Sequence, residues 1–295
     1  MIKGKQLDVN HISFRPAATN KNGKGKNAGI LYRGNPLIVQ SPLMLTWGLN
    51  ERVPDDGAGR TTYDLALQFN DDNPSIRQFK ENLAELQNKI LEAAATSKSS
   101  EWFGKSKGNP EVLKELMYPI LKYPKKKDAA GNYLDEPDYS RNPTMKLKVS
   151  YWDDKFNVEL YDQTKSLIYK PVNEGEQGPQ GDLTPMQLLP KGSHIIGVIR
   201  CNGIWFAGGR FGVTWGLQQA RVKPPFRLVG SGIMQIQDDS DDEEALDTIA
   251  QKDKEKEQDE IATEVAAEVD ANVGVMDSSD EEDAVEAMTM SFSSR

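Results

Sequence analysis

The sequence has a single cysteine and two histidines, and no apolar run approaches the length of a membrane span. Because Cys201 has no second cysteine to pair with, an intrachain disulfide is excluded, which fits a reducing compartment. The same shortage means that a zinc cluster of nitrogen and sulfur ligands cannot be assembled. The N-terminal residues contain no apolar stretch, so we expect no signal peptide and no membrane insertion. These absences predict an intracellular, non-secreted protein without a metal.

No catalytic motif occurs in the context that it would need. The segment from Ser99 to Ser106 partly resembles a phosphate-binding loop, but Ser99 stands where the first glycine is required. It also follows a helical pattern, whereas that loop needs a preceding strand. Asp153 and Asp154 indicate a turn, and no motif supports a serine or cysteine nucleophile. We therefore expect a protein that is not an enzyme and binds no cofactor.

Charge divides the chain into two parts. Residues 238–295 carry 21 acidic and 4 basic side chains, a net charge of −17, whereas residues 1–237 carry 24 acidic and 32 basic ones, a net charge of +8. A basic domain attracts polyanions, and an attached acidic tail can compete for the same surface. The sequence therefore predicts one folded domain over 1–237 and a disordered acidic tail over 238–295. Nucleic acid is the first candidate partner.

Alternating apolar residues predict about eight short strands. Residues 62–70 place Leu65 and Leu67 on one side and Asp64 on the other. The same alternation predicts a hairpin from residue 145 to 160 that turns at Asp153-Asp154, and Asn202-Gly203 predicts a turn between two later strands. A barrel or a sandwich fits this count. A mainly β, OB-fold-like barrel with an inserted long α-helix fits best.

The clearest helix follows the strand at 62–70. Asn73 is a suitable N-cap, and Pro74 then occupies the first helical position. Apolar residues recur at spacings of three and four from Ile76 to Ala93, which gives one apolar stripe. A shorter helix is predicted from Pro110 to Met117.

Residues 118–148 combine cations with aromatic side chains, and the composition of residues 122–141 predicts a loop. Coating a single strand needs cations for phosphates and aromatic faces for bases, without base-specific hydrogen bonds. The alternative is a solvated loop whose lysines aid solubility. Tyr133 is a further stacking candidate. The candidate DNA-binding residues are Lys105, Lys122, Tyr123, Lys125, Lys126, Lys127, Tyr139, Arg141, Lys146, Lys148, Trp152 and Arg210.

The other aromatic clusters are expected inside the domain. Trp102 and Phe103 follow the long helix, and we expect them to close the core against it. The aromatic residues of the last strands are expected to pack inside the barrel. They are Trp205, Phe206, Phe211 and Trp215.

Several segments, in order along the chain, carry a family resemblance. They are residues 34–42 (GNPLIVQSP), 63–69, 101–105 (EWFGK), 118–124 (YPILKYP) and 204–215 (IWFAGGRFGVTW). Together they resemble the single-stranded DNA-binding proteins of nucleocytoplasmic large DNA viruses, which are distantly similar to the T-odd phage replication protein. The resemblance covers roughly residues 8–224.

The resemblance implies an OB fold that coats single strands in viral DNA replication, recombination or repair, in the host nucleus or a cytoplasmic virus factory. It also implies that the acidic tail contacts replication proteins. The phage proteins end on an aromatic residue, whereas Phe292 is followed in this chain by three more residues. Ser278 and Ser279 precede an acidic run that suits an acidophilic kinase, and phosphate there would add negative charge. The candidate partner-binding residues are Asp280, Glu281, Glu282, Asp283 and Phe292.

The sequence leaves other functions open. The tail alone can be a solubilising polyanion, or the whole chain can be an acidic-tailed chaperone or scaffold for basic proteins such as histones. In that second function the tail is the binding site, so its deletion would abolish the activity. A minor virion protein that self-assembles without DNA is a third possibility, and a homo-oligomer is compatible with each of them.

Overall fold

A computed structural model describes residues 1–20, 25–54, 59–173 and 175–225, so the acidic tail predicted over 238–295 lies outside the described part. The described chain is mainly β and contains a mixed sheet of twelve strands, several smaller sheets and four α-helices. No helix within these ranges is long and apolar enough to cross a membrane.

Short strands make up most of the secondary structure, and the longest helix lies between the ninth and tenth strands. The helices are α1 (Pro74–Ala95), α2 (Ser99–Phe103), α3 (Pro110–Leu116) and α4 (Pro185–Leu188), and short 3-10 turns span Gly4–Gln6 and Val9–His11. The strands are β1 (Ile2–Lys3), β2 (Ile12–Phe14), β3 (Ala18–Thr19), β4 (Lys26–Ala28), β5 (Ile30–Tyr32), β6 (Asn35–Pro36), β7 (Ile38–Gln40), β8 (Met44–Arg52), β9 (Thr62–Gln68), β10 (Met117–Tyr118), β11 (Lys125–Lys127), β12 (Tyr133–Pro137), β13 (Thr144–Val149), β14 (Tyr151–Trp152), β15 (Lys155–Phe156), β16 (Glu159–Tyr161), β17 (Leu167–Tyr169), β18 (Ser193–Ala207) and β19 (Arg210–Lys223).

Five strands pair with one another in a closed ring. β8 pairs with β9, β9 with β13, β13 with β19, β19 with β18, and β18 returns to β8. Each pair is antiparallel except β13 with β19, which run parallel. One face of each strand is apolar and buried, as shown by Leu65, Leu67, Met145 and Leu147. This mainly β arrangement is compatible with the OB-like architecture expected from the sequence.

Helix α1 begins and ends close to its predicted limits. The Asn73 side chain accepts hydrogen bonds from the backbone N–H groups of Ser75 and Ile76, at 2.9 and 3.4 Å. The apolar stripe is buried, and at its centre the ring of Phe79 packs 5.8 Å from that of Phe69. The short helix α3 is also confirmed, whereas α2 was not predicted.

The predicted turn at Asp153-Asp154 is present, but the long hairpin predicted around it is not. Asp153 and Asp154 do turn the chain, with φ of 50° and 57°, but they connect only the two-residue strands β14 and β15. β13 pairs instead with β9 and β19, and β16 pairs with β17 and β19. The prediction of one long hairpin from 145 to 160 is therefore wrong. Alternation indicates which face of a strand is buried, but it does not determine the partner strand.

The predicted turn at Asn202-Gly203 is also wrong, because β18 continues through it. Gly203 has a φ of 106°, and the pairing with β19 shifts register there. A Cβ at this position would lie 2.7 Å from the carbonyl oxygen of Ala28, so glycine allows β4 to approach closely. The chain turns later, at Gly208 and Gly209, which both have positive φ.

The segment expected to be a loop around residues 122–141 contains a hairpin of its own. β11 pairs antiparallel with β12, with Lys127 opposite Tyr133. Every residue of both strands is exposed, so the hairpin buries no side chain against the ring. Opposite charges on its two strands support the pairing where apolar packing is missing.

Cys201 gives a direct test of the packing of β18. It is buried in this strand, and burial raises the pKa of its thiol to about 12. Because the thiolate is the reactive species, we expect no reaction with a chromogenic disulfide reagent in native buffer at about pH 8. Denaturant should release one reactive thiol per chain. Equal reaction rates in native and denaturing buffer would contradict the burial of this residue.

Candidate nucleic-acid interface

The outer face of β9 and β13 is basic. Lys146 and Lys148 alternate with the buried residues of β13, and both are exposed, as the sequence predicts. Lys146 lies opposite Ala66 of β9, and Lys148 lies opposite Asp64. Arg52, at the end of β8, reaches the same area through Asp64. We call these five residues the lysine face.

Asp64 lies on the outer side of β9, as predicted, but it is only 5% exposed. It is covered because Arg52 donates from Nε to its Oδ2, and the Lys146 Nζ lies 3.3 Å from the same oxygen. The side chains of Arg52 and Lys146 nevertheless remain 58% and 53% exposed. Their remaining N–H groups can therefore donate to a second anion. The carboxylate orients two cations and cancels one of the three positive charges of the lysine face.

The lysine face continues onto β19 through a glycine. Lys148 pairs in register with Gly216. A Cβ at Gly216 would lie 3.0 Å from the amide nitrogen of Asn202 and 3.8 Å from that of Gln218. Gly216 is itself buried, because these neutral amides cover it, so the surface beside Lys148 is formed by the side chains of Asn202 and Gln218.

Trp47 lies on the same side of the ring, and sequence reasoning missed both this residue and its strand, β8. The pairing of β8 with β9 shifts register between Thr46 and Leu49, and Gly48 has a φ of 85°. Such a bulge places an extra residue opposite its partner and redirects side chains. The Trp47 side chain is 54% exposed. The glycine inside an apolar run was the available signal, since it often marks a bulge.

The three lysines of β11 have partners within their own hairpin. The Lys125 Nζ lies 2.8 Å from the Asp135 Oδ1, and the Lys126 Nζ lies 3.0 Å from the Glu136 Oε2. The hydrogen bond from Lys125 lowers the pKa of the Asp135 carboxyl below its usual range. Solvent screens exposed pairs of this kind and makes them weak, so a phosphate can displace them. The hairpin is nevertheless much less positive than the lysine run alone suggests.

Aromatic candidates surround the same hairpin. The rings of Tyr123 and Tyr139 meet edge to face at 4.8 Å, and Tyr139 is largely exposed. The Lys127 Nζ lies 4.8 Å from the centre of the Tyr133 ring, so this ammonium group occupies one face of the ring. Three other predicted cations are also exposed. Lys122 and Arg141 lie near the hairpin, and Lys105 lies beyond α2.

A second aromatic cluster lies beside the turn between β18 and β19. The rings of Tyr118 and Trp205 are 5.4 Å apart, and the Arg210 guanidinium lies 5.6 Å from the centre of the Tyr118 ring. Trp205 was expected inside the barrel, but it is only partly buried and packs on the outside against Tyr118. It can do so because Gly212, between the two residues, has no side chain, and a Cβ there would lie 3.0 Å from the indole.

The other predictions for aromatic residues have clear outcomes. Trp152 is 55% exposed, as expected, and the guanidinium of Arg60 lies 4.9 Å from the centre of its ring. Sequence reasoning missed Arg60. The predicted packing residues Trp102, Phe206, Phe211 and Trp215 are buried.

The partner-binding candidates lie outside the described residues, so their roles stay predictions: Asp280, Glu281, Glu282, Asp283 and Phe292. Within the described residues, no group of three or more histidine, cysteine, aspartate or glutamate side chains is arranged to hold a metal ion.

Comparison with known proteins gives structural neighbours at low similarity. No protein-family model and no curated protein matches the sequence. The single-stranded DNA-binding protein of bacteriophage Enc34, in complex with single-stranded DNA, is similar at 12% identity and a TM-score of 0.37, over 74% of this chain and 99% of that one. The T7 phage single-stranded DNA-binding protein gp2.5 is similar at 15% identity and a TM-score of 0.33, over 68% of this chain and 98% of that one. At these values the likeness assigns neither fold nor function to this chain.

Proposed function

We propose that the domain is an OB-like barrel that binds single-stranded DNA without sequence specificity. The position of the lysine face carries this proposal. The OB fold is a five-stranded, partly open barrel that binds oligonucleotides on its second and third strands and on the loops after its first and fourth strands. Counted along the chain, the second and third strands of the closed ring are β9 and β13. Lys146 and Lys148 therefore lie on the face that an OB fold uses.

The two loops that such a fold uses also carry cations and aromatic rings. The connection from β8 to β9 bears Arg60 beside Trp152. The turn from β18 to β19 bears Arg210 beside Tyr118. Aromatic faces stack on bases of any sequence, and cations follow the phosphates, so these groups favour binding to a single strand in general.

The test is a fluorescence-anisotropy titration of a labelled oligo-dT with the full chain at several salt concentrations. We expect the logarithm of the association constant to fall with the logarithm of the salt concentration, at about −0.7 for each phosphate neutralised. Duplex DNA of equal length should compete weakly, because its bases are not free to stack. Failure to bind oligo-dT even at low salt would reject the proposed function.

Deleting residues 238–295 should tighten binding to oligo-dT, because we propose that the tail, with its net charge of −17, competes with DNA for the basic domain. We expect a gain of about tenfold or more at low salt, and little difference at about 1 M salt, where charges are screened within roughly 3 Å. Equal affinity of both forms at low salt would remove this competition.

The same deletion separates the leading function from its alternative. A chaperone or scaffold for basic proteins would lose binding to histones with its tail, whereas a DNA-binding domain would keep or improve its affinity for DNA. The setting in viral DNA replication, recombination or repair, and the tail's contact with replication proteins, rest on the sequence resemblance alone. A pull-down of replication proteins with and without the tail would test that contact.

A further inference from the structure

Trp47 forms one wall of an open groove on the outside of the ring. The groove has a volume of about 610 Å³, within the range of roughly 300–1,000 Å³ usual for sites of small ligands. Besides Trp47, the residues that matter for its chemistry are Leu43, Leu45, Gln68, Asp72, Asn142 and His194.

The groove adjoins the lysine face. His194, Leu45 and Gln68 lie opposite one another on β18, β8 and β9. Further along β8, Trp47 falls at the bulge beside Ala66, and Ala66 lies opposite Lys146. Two strand spacings therefore separate the backbone at Trp47 from that at Lys146, roughly 10 Å. Because Ala66 has a small side chain, the space between the side chains of Trp47 and Lys146 is not filled by the residue that lies between them.

The groove offers polar groups that have no partner. Within the described ranges, the side chains of Gln68, Asn142 and His194 make no hydrogen bond, and the ring of Trp47 contacts no other ring or cation. Trp152, which is equally exposed, already lies against a guanidinium. An amide provides both donors and an acceptor, so the groove combines a flat apolar wall with neutral hydrogen-bonding groups and one carboxylate, that of Asp72.

We propose that this groove takes one nucleobase of the bound strand, stacked on the indole of Trp47, with its edge toward Gln68 and Asn142. A base is flat and aromatic and carries donors and acceptors on its edge, and proteins that bind single strands recognise it by stacking and by polar contacts to that edge. Lys146 is placed to hold an adjacent phosphate. This inference rests on the proposed function and assigns the base-binding position of the same surface.

The test compares two strands of equal length and charge, an oligo-dT and a fully abasic oligonucleotide. We expect Trp47→Ala to weaken binding to oligo-dT about tenfold, which corresponds to about 1.4 kcal/mol, because a stacked base is lost. Binding to the abasic strand should change less than about twofold, since phosphate contacts remain. Trp47→Phe keeps a flat ring and is the matched control, with an affinity within about threefold of that of the unchanged protein.

Gln68→Met tests the edge contacts, because it keeps the length of the side chain and removes the amide. A loss of about threefold on oligo-dT, without a loss on the abasic strand, is expected. Thermal unfolding of each variant checks that the fold is intact.

Three outcomes would count against the groove, and a fourth concerns the function itself. The proposal would be overturned if the Trp47→Ala variant bound oligo-dT like the unchanged protein, or if it lost affinity equally for both strands. A change in self-association without a change in DNA affinity would also overturn it and would assign Trp47 to an interface between copies. If the unchanged protein binds neither strand, the proposed function fails before the groove is tested.

Discussion

Lys146→Gln combined with Lys148→Gln is expected to weaken binding of oligo-dT about thirtyfold or more at low salt. Each exposed ammonium on the lysine face is placed to contact a phosphate, and a hydrogen bond that involves a charged group contributes roughly 1.5–3 kcal/mol. The salt dependence should flatten as well, by about 0.7 for each lost contact and so about 1.4 in total. The measurement is the same anisotropy titration, repeated over a series of salt concentrations.

The matched control is Lys125→Gln combined with Lys126→Gln, which removes the same two charges from the β11–β12 hairpin. Each ammonium there has a carboxylate of its own. On the lysine face, by contrast, Lys146 shares Asp64 with Arg52, and Lys148 pairs with no carboxylate of the described residues. We therefore expect less than about a fivefold loss for the hairpin variant and a slope change of well under 0.7. This comparison separates a contact surface from a general effect of net charge. A larger loss in the hairpin variant would move the binding surface to residues 122–141.

Phe79→Ala is expected to lower the free energy of unfolding by about 3–5 kcal/mol, the usual cost of removing a buried phenylalanine side chain. Phe79 is fully buried, packs on Phe69, and lies so close to Gly4 that a Cβ there would be 2.5 Å from its ring. The cavity would thus open where α1, the N-terminal turn and the end of β9 meet. Since a domain has about 5–15 kcal/mol of stability in total, this single change removes a large part of it.

Urea unfolding followed by far-ultraviolet circular dichroism measures this effect, with Glu85→Ala as the control. Glu85 is exposed on the same helix, and its replacement should change stability by less than about 0.5 kcal/mol. Equal midpoints for Phe79→Ala and the unchanged protein would contradict the packing of α1 against Phe69 and the N-terminal turn.

The candidate site was partly visible in the sequence, and the parts differ in their physical origin. Lys146 and Lys148 follow from alternation along β13, because successive side chains of a strand point to opposite faces. Trp47 continues the alternation of Met44, Leu45 and Thr46, but the bulge at Gly48 ends that pattern after four residues, so β8 does not stand out in the sequence. The sequence does not show that two of the lysines of β11 are paired, because their carboxylate partners lie ten residues away on β12. A run of charge in the sequence does not show which of its members are already paired.

The sequence by itself determined the features that depend on neighbours along the chain. The limits of α1 follow from Asn73, Pro74 and the apolar stripe, and the buried faces of β9 and β13 follow from alternation. The tertiary structure decided which strands pair and how β18 passes Gly203 without turning. It also decided that Arg52, Asp64 and Lys146 lie together on the outer face of the ring. These features join residues that are distant in the chain. They depend on the twist, register and close approach of strands that meet only in the folded domain, so no local pattern specifies them.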